Sequence, residues 1–132
     1  MREPTVGDVV VRLPKTLPVD TSVAQARACF ADDHVHMLLL TEAGRLLGTL
    51  LREDLDEAAD GPALAYSHVA GRTVSADLPA EAARRLLVSR GQRRLAVVDG
   101  DGVLVGLLCL KRRLTGFCGD ADVAARAAER GT

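Results

Sequence analysis

Apolar and polar positions change their spacing in the same order twice along this chain. A short extended piece, Lys15–Pro18, leads into Val23, Ala26 and Phe30, which recur at helical spacing. "HMLLLT" then turns at "EAG" into "RLLGTLL", two apolar runs joined by a tight connection. The second pass begins at Arg72–Ser75, puts Ala80, Ala83 and Leu87 on one helix face, and turns "RLAVVD" at "GDG" into "VLVGLLCL". The strand segments are continuously apolar, so both of their faces should be covered. Gly44 and Gly102 fall where such turns need a positive φ. An aspartate should open each first helix, Asp20 in one copy and Asp77, followed by Pro79, in the other. A second helix should follow each hairpin, near Arg52–Ala59 and Lys111–Cys118. The unit predicted is β-α-β-β-α, written twice, which is an α+β fold.

The remaining segments frame these copies. Residues 6–10, "VGDVV", predict a short lead-in that packs on the opposite repeat. "DGPALAYSHVAGR" reads as a connector with turn residues, and "DADVAARAAERG" as an Ala-rich helix ended by Gly131. The expected domains are residues 1–60 (first repeat with lead-in), 61–118 (connector and second repeat) and 119–132 (helical tail).

Composition narrows the functions open to such a fold. Hydrophobic residues are 48% of the 132 and charged residues 27%, a soluble globular balance. Aromatics are only 2%, so the core must be aliphatic and a base-stacking surface is disfavoured. A net charge of −1 supplies no field toward nucleic acid. The clusters Arg84–Arg85, Arg90–Arg94 and Lys111–Arg113 read as solvated helix and turn faces. No basic-then-apolar leader opens the chain, and the run "VLVGLLCL" is too short to span a bilayer, so a cytoplasmic protein is expected. Cys29, Cys109 and Cys118 lack C-x-x-C spacing and suit reduced thiols. No Ser-His-Asp or Cys-His arrangement, H-E-x-x-H or phosphate-loop motif is present, so neither catalysis nor a metal site is expected. His34 and His36 read as exposed loop histidines, and His68 has no identifiable partner in the sequence.

The order of helix, "VVDGDG" turn, glycine and helix restart, followed by G-h-h-x-x-x-D-h, resembles a pair of CBS domains, a Bateman module. The resemblance covers about residues 6–115. It implies two tandem β-α-β-β-α CBS repeats packed with pseudo-twofold symmetry, clefts between them that hold adenine nucleotides or related molecules, and assembly as a homodimer. It also implies a regulatory role without chemistry of its own.

The resemblance gives the end of each hairpin a meaning. The family motif, G-h-h-T-x-x-D-h, sets a hydroxyl and an acid at a helix start, where a phosphate is favoured and the acid accepts from ribose. The same T-x-x-D is also a capping box. The first copy runs Gly48-Thr49-Leu50-Leu51-Arg52-Glu53-Asp54-Leu55. It keeps the acid at Asp54 but has Leu51 for the hydroxyl, and Arg52 stands ready as a substitute donor. Asp54 then either reads ribose or, with Glu53, compensates the helix dipole. The second copy has Cys109 at the hydroxyl position and Arg112 at that of the acid, within the run Lys111-Arg112-Arg113. Those three cations face an acid, a bound anion, a partner or simply water.

The reading is a stand-alone regulatory CBS-pair module, not an enzyme, sensing AMP, ADP, ATP or S-adenosylmethionine near Asp54. Arg52 and Leu51 would stand beside the ligand, with Lys15 and Thr16 on its base side by resemblance. The alternative is a ligand-free module docking an acidic partner through Lys111, Arg112 and Arg113.

Overall fold

The structure, a computed structural model, describes residues 3–12 and 16–110. The helices predicted near Lys111–Cys118 and after Gly119 lie outside these residues. In chain order the elements are α1 (Val6–Val9), β1 (Thr16–Pro18), α2 (Val23–Phe30), β2 (Met37–Glu42), β3 (Arg45–Leu51), β4 (Thr73–Ser75), α3 (Ala80–Arg90), β5 (Arg94–Val98) and β6 (Leu104–Cys109). Single 3-10 turns occupy Arg52–Asp54 and Ala63–Tyr66. Two three-stranded sheets form, ordered β1-β2-β3 and β4-β5-β6. The α+β repeat read from the sequence is therefore the architecture of the molecule.

Two compact units result. Residues 16–73 with 102–104 form one, and residues 3–12, 74–101 and 105–110 form the other. In the first, β1 runs parallel to β2 and β2 runs antiparallel to β3. The β2–β3 turn uses Ala43 (φ 51°) and Gly44 (φ 82°), so two successive residues take positive φ. That is the primed geometry whose twist suits a two-residue hairpin. The register shifts between Leu40, opposite Gly48, and Thr41, opposite Leu46, which leaves Leu47 in a bulge and partly exposed. Val23, Ala26 and Phe30 of α2 pack on Leu38, Leu40 and Leu50 of the sheet. In the second unit Ala83 and Leu87 of α3 pack on Leu95, Val97 and Leu108. The helix faces read from spacing are the buried ones.

The helix starts differ from expectation. Ser22, not Asp20, caps α2: its Oγ accepts from Gln25 N at 3.1 Å, and Gln25 Oε1 accepts from Ser22 N at 2.9 Å. This reciprocal box satisfies two orphan donors and outcompetes an aspartate two residues earlier. α3 has Pro79 at its cap position and no side-chain cap, so Asp77 does not cap it. Instead Ala80 N donates to Pro4 O at 2.9 Å, a bond supplied by the lead-in. α3 ends at Gly91 (φ 64°), whose left-handed backbone lets Gln92 N reach Leu87 O at 2.9 Å.

The helix expected over Arg52–Ala59 is only the 3-10 turn Arg52–Asp54. Arg27 Nη2 binds Asp56 O at 2.7 Å and Ala59 O at 3.0 Å, and Asp56 Oδ1 accepts from Ala58 N at 2.9 Å. These bonds satisfy the segment in a turn conformation and remove the need for a helical ladder.

Each unit is strapped by a segment drawn from ahead of the opposite repeat in sequence. In the first, Val23 N donates to Gly61 O (2.8 Å) and Ala63 N to Thr21 O (3.0 Å), and His68 then pairs with Thr49. In the second, Val6 N donates to Leu78 O (2.8 Å), and Val11 and Leu107 exchange two bonds at 2.9 Å. The straps correspond position by position: Pro4 matches Gly61, Val6 matches Ala63 and Val11 matches His68. The lead-in thus packs on the second repeat, as the sequence predicts. Both straps cross the hairpin at the repeat's glycine. A Cβ on Gly48 would lie 2.0 Å from Ser67 Oγ, and one on Gly106 would lie 2.3 Å from Val11 O.

Candidate functional site

The surviving acid of the motif sits where β3 leaves its sheet. Leu51 is the residue before the 3-10 turn, and its N–H donates to Asp54 Oδ2 at 2.7 Å. A leucine side chain accepts nothing, so this is one half of a capping box, kept after the hydroxyl half has gone. Asp54 itself is nearly covered, with 8% of its side chain exposed.

Its main partner comes from the end of the connector. Arg72 grips the carboxylate with a fork, Nη1 to Oδ2 at 2.5 Å and Nη2 to Oδ1 at 2.8 Å. Arg72 Nη1 also reaches Thr49 O at 3.3 Å. The strap fixes where this arginine enters. Thr49 N donates to His68 O at 2.8 Å, His68 N returns a bond to Thr49 O at 2.9 Å, and Thr49 Oγ1 donates to His68 O at 2.5 Å. Thr49 is fully buried, so this hydroxyl is satisfied by the strap and by no solvent. The same pairing brings His68 Nε2 to 3.9 Å from Asp54 Oδ1.

Electrostatics follow from this geometry. Burial pushes the Asp54 carboxyl up, but the bonds from Arg72 and Leu51 N–H and the charges of Arg72 and His68 outweigh it. The net effect holds Asp54 below the ordinary carboxylate value. The bond to Asp54 raises Arg72 in turn, against the opposing effect of burial. The pair is ionised at neutral pH, and its geometry is that of a charge-assisted, bidentate contact.

Of the residues singled out in the sequence, Leu51 and Asp54 meet directly. Arg52 turns to other partners. Its guanidinium lies 5.2 Å from the Phe30 ring centre, bonds to Phe30 O, and reaches Val35 O at 3.0 Å. It lines a depression of about 290 Å³ with Arg27, Phe30, Ala31 and Leu55. Thr16 is exposed on β1, paired with Leu39. Lys15, Lys111, Arg112 and Arg113 lie outside the described residues. Arg72 and His68 were missed by sequence reasoning. The available signal is internal: Arg72 opens its repeat where Lys15 opens the other, and the resemblance puts Lys15 at the ligand. His68, which had no partner in the sequence, gains Asp54 through the strap. Among the described residues no group of three His, Cys, Asp or Glu side chains is placed to hold a metal, and no helix is long and apolar enough to cross a membrane.

Comparison with known proteins agrees with the repeat architecture. The CBS domain family matches residues 6–61 and again residues 69–114. The chain therefore belongs to the CBS domain family and carries two copies, a CBS pair. Solved structures share the fold. CBSX2, determined in complex with AMP, is 24% identical with a TM-score of 0.70, over 96% of this chain and 98% of that one. The CBS domain protein PAE2072 from Pyrobaculum aerophilum, complexed with AMP, is 24% identical with a TM-score of 0.66, over 94% and 98%. The CBS domain pair of protein MJ0100, in complex with 5′-methylthioadenosine and S-adenosyl-L-methionine, is 16% identical with a TM-score of 0.67, over 98% and 99%. No relative was found among curated proteins.

Proposed function

We propose that this protein is a regulatory, non-catalytic CBS-pair module that senses an adenine nucleotide through Asp54. One observation carries the reading. The acid of the family motif is present, ionised, and held in one orientation by Leu51 N–H and the Arg72 fork. A fixed carboxylate is a ready acceptor for a sugar hydroxyl, because the cost of ordering it is already met in the free protein. Two of the fold relatives were solved with AMP and a third with 5′-methylthioadenosine and S-adenosyl-L-methionine, all of which carry an adenosyl ribose. Lys15 and Thr16 would stand on the base side of the ligand, and a homodimer would be the working assembly. No observation favours docking of an acidic partner through Lys111–Arg113.

The test is calorimetric titration with AMP, ADP, ATP and S-adenosylmethionine, alongside light scattering for the assembly. At least one ligand binds, and Asp54→Asn weakens it tenfold or more while the circular dichroism of the fold persists. Absence of heat with all four, or affinity unchanged in Asp54→Asn, would sink the proposal.

A further inference from the structure

Asp54 has a countable number of acceptor sites, and the protein has filled most of them. An ionised carboxylate offers two lone-pair directions on each oxygen, about four sites in all. Arg72 Nη1 and Leu51 N occupy Oδ2 at 2.5 and 2.7 Å, and Arg72 Nη2 occupies one side of Oδ1 at 2.8 Å. One direction on Oδ1 remains, and His68 stands beside that oxygen. Its Nε2 is 3.9 Å away, too far for a direct hydrogen bond, and its side chain is 57% exposed. An oxygen at about 2.7 Å from Oδ1 and about 2.9 Å from Nε2 fits across this gap, with the two bonds meeting at about a right angle. Such an oxygen donates its proton to Oδ1 and accepts from Nε2–H. A hydroxyl has both capacities.

We infer that Asp54 and His68 together read one hydroxyl of the ligand, and that Arg72 restricts Asp54 to that single hydroxyl. The inference rests on the proposed nucleotide reading and deepens it. A carboxylate with both oxygens open accepts from both hydroxyls of a ribose diol. Here the Arg72 fork leaves the second hydroxyl without an acceptor, so the site distinguishes two sugar positions that a bare aspartate treats alike. A group built to bond a hydroxyl strongly rejects the analogue lacking it, because its own polar atoms are left unpaired. His68 is held for this task by the backbone pairing with Thr49 rather than by its own side chain, so its replacement leaves the strap in place.

The experiment compares AMP, 2′-deoxy-AMP and 3′-deoxy-AMP on the full chain and on His68→Ala, with AMP on Asp54→Asn as reference. In the unmodified protein one deoxy analogue binds about tenfold more weakly than AMP and the other within about twofold, the size expected for one hydrogen bond to a charged group. His68→Ala weakens AMP about fivefold but leaves the already weakened analogue unchanged. Equal loss with both analogues means that a diol displaces Arg72, and overturns the inference. So does a His68→Ala effect that is absent, or the same for all three ligands. If AMP does not bind, the inference fails, and the parent reading fails with it only when ADP, ATP and S-adenosylmethionine also give no heat.

Discussion

Arg72 and Asp54 form a two-bond fork at 2.5 and 2.8 Å that ties the end of the connector to the end of β3. The residues are 18 apart in sequence, so the pair closes a loop that no local rule would link. Both side chains are largely covered, at 15% and 8% exposure. Removing one partner therefore leaves the other charge poorly solvated. Arg72→Met should cost about 2–3 kcal/mol in urea unfolding. The double variant Arg72→Met/Asp54→Asn should recover part of that loss, because no unpaired carboxylate remains. A single variant no less stable than the double would show that the unpaired carboxylate carries no penalty, and an Arg72→Met loss well under about 1 kcal/mol would show that the fork contributes little.

The same pair gives the protein an acid-sensitive contribution. The folded state holds the Asp54 carboxyl below its ordinary value, so the folded state binds fewer protons than the unfolded chain in that range. The associated stability is fully present above the unfolded carboxylate value, about pH 4, and is lost as pH falls through the lower folded value. Unfolding free energy measured from about pH 6 to about pH 2 should thus fall more steeply in the natural protein than in Asp54→Asn. Parallel profiles would assign the acid sensitivity to other carboxylates.

The two matched glycines should differ in their tolerance of a methyl group. At Gly48 the obstacle is the side chain of Ser67, with Oγ at 2.0 Å and Cβ at 2.6 Å. At Gly106 it is the backbone oxygen of Val11 at 2.3 Å, an atom held in a ladder with Leu107. A side chain can be removed by a second substitution, and a carbonyl cannot. Gly48→Ala and Gly106→Ala should each cost on the order of 2–3 kcal/mol. Ser67→Gly should restore most of the Gly48→Ala loss, and no single side-chain change should restore Gly106→Ala. Thermal unfolding of Gly48→Ala, Gly106→Ala and the double variant Gly48→Ala/Ser67→Gly decides it.

What was legible in the sequence and what was not divide along a physical line. The faces Val23-Ala26-Phe30 and Ala80-Ala83-Leu87 are set by burial, which repeats at the helical period and so leaves a trace in spacing. The turn at Gly44 and the glycine of each hairpin were equally local. The cap at Ser22 is legible as S-x-x-Q, two residues after Asp20. The short 3-10 turn after β3 was not readable, because Arg27 from α2 takes the carbonyls of Asp56 and Ala59. The site was half legible. Asp54 stood out against its matched Arg112, while Arg72 and His68 join it only because the connector straps β3. In sequence terms Asp54 matches Arg112 and Arg72 matches Lys15, so the counterparts of this acid–base pair are two bases.

The lead-in should be as necessary to the second unit as the connector is to the first. Val6, Val10 and Val11 are at most 6% exposed, and Val11 exchanges two backbone bonds with Leu107 on β6. Burial of three valines at about 1.5 kcal/mol each makes the segment worth on the order of 5 kcal/mol, comparable to the whole stability of a small domain. A chain beginning at Arg12 should accordingly lose cooperative unfolding in the second unit. Hydrogen exchange localises the effect. The Leu110 amide, which donates to Arg93 O at 2.7 Å inside the second unit, should lose its protection, while the Thr49 amide, which donates to His68 O at 2.8 Å, should keep most of its own. Equal loss at both amides would mean that the two units unfold as one. Unchanged protection at Leu110 would mean that the strap adds no stability to the second unit.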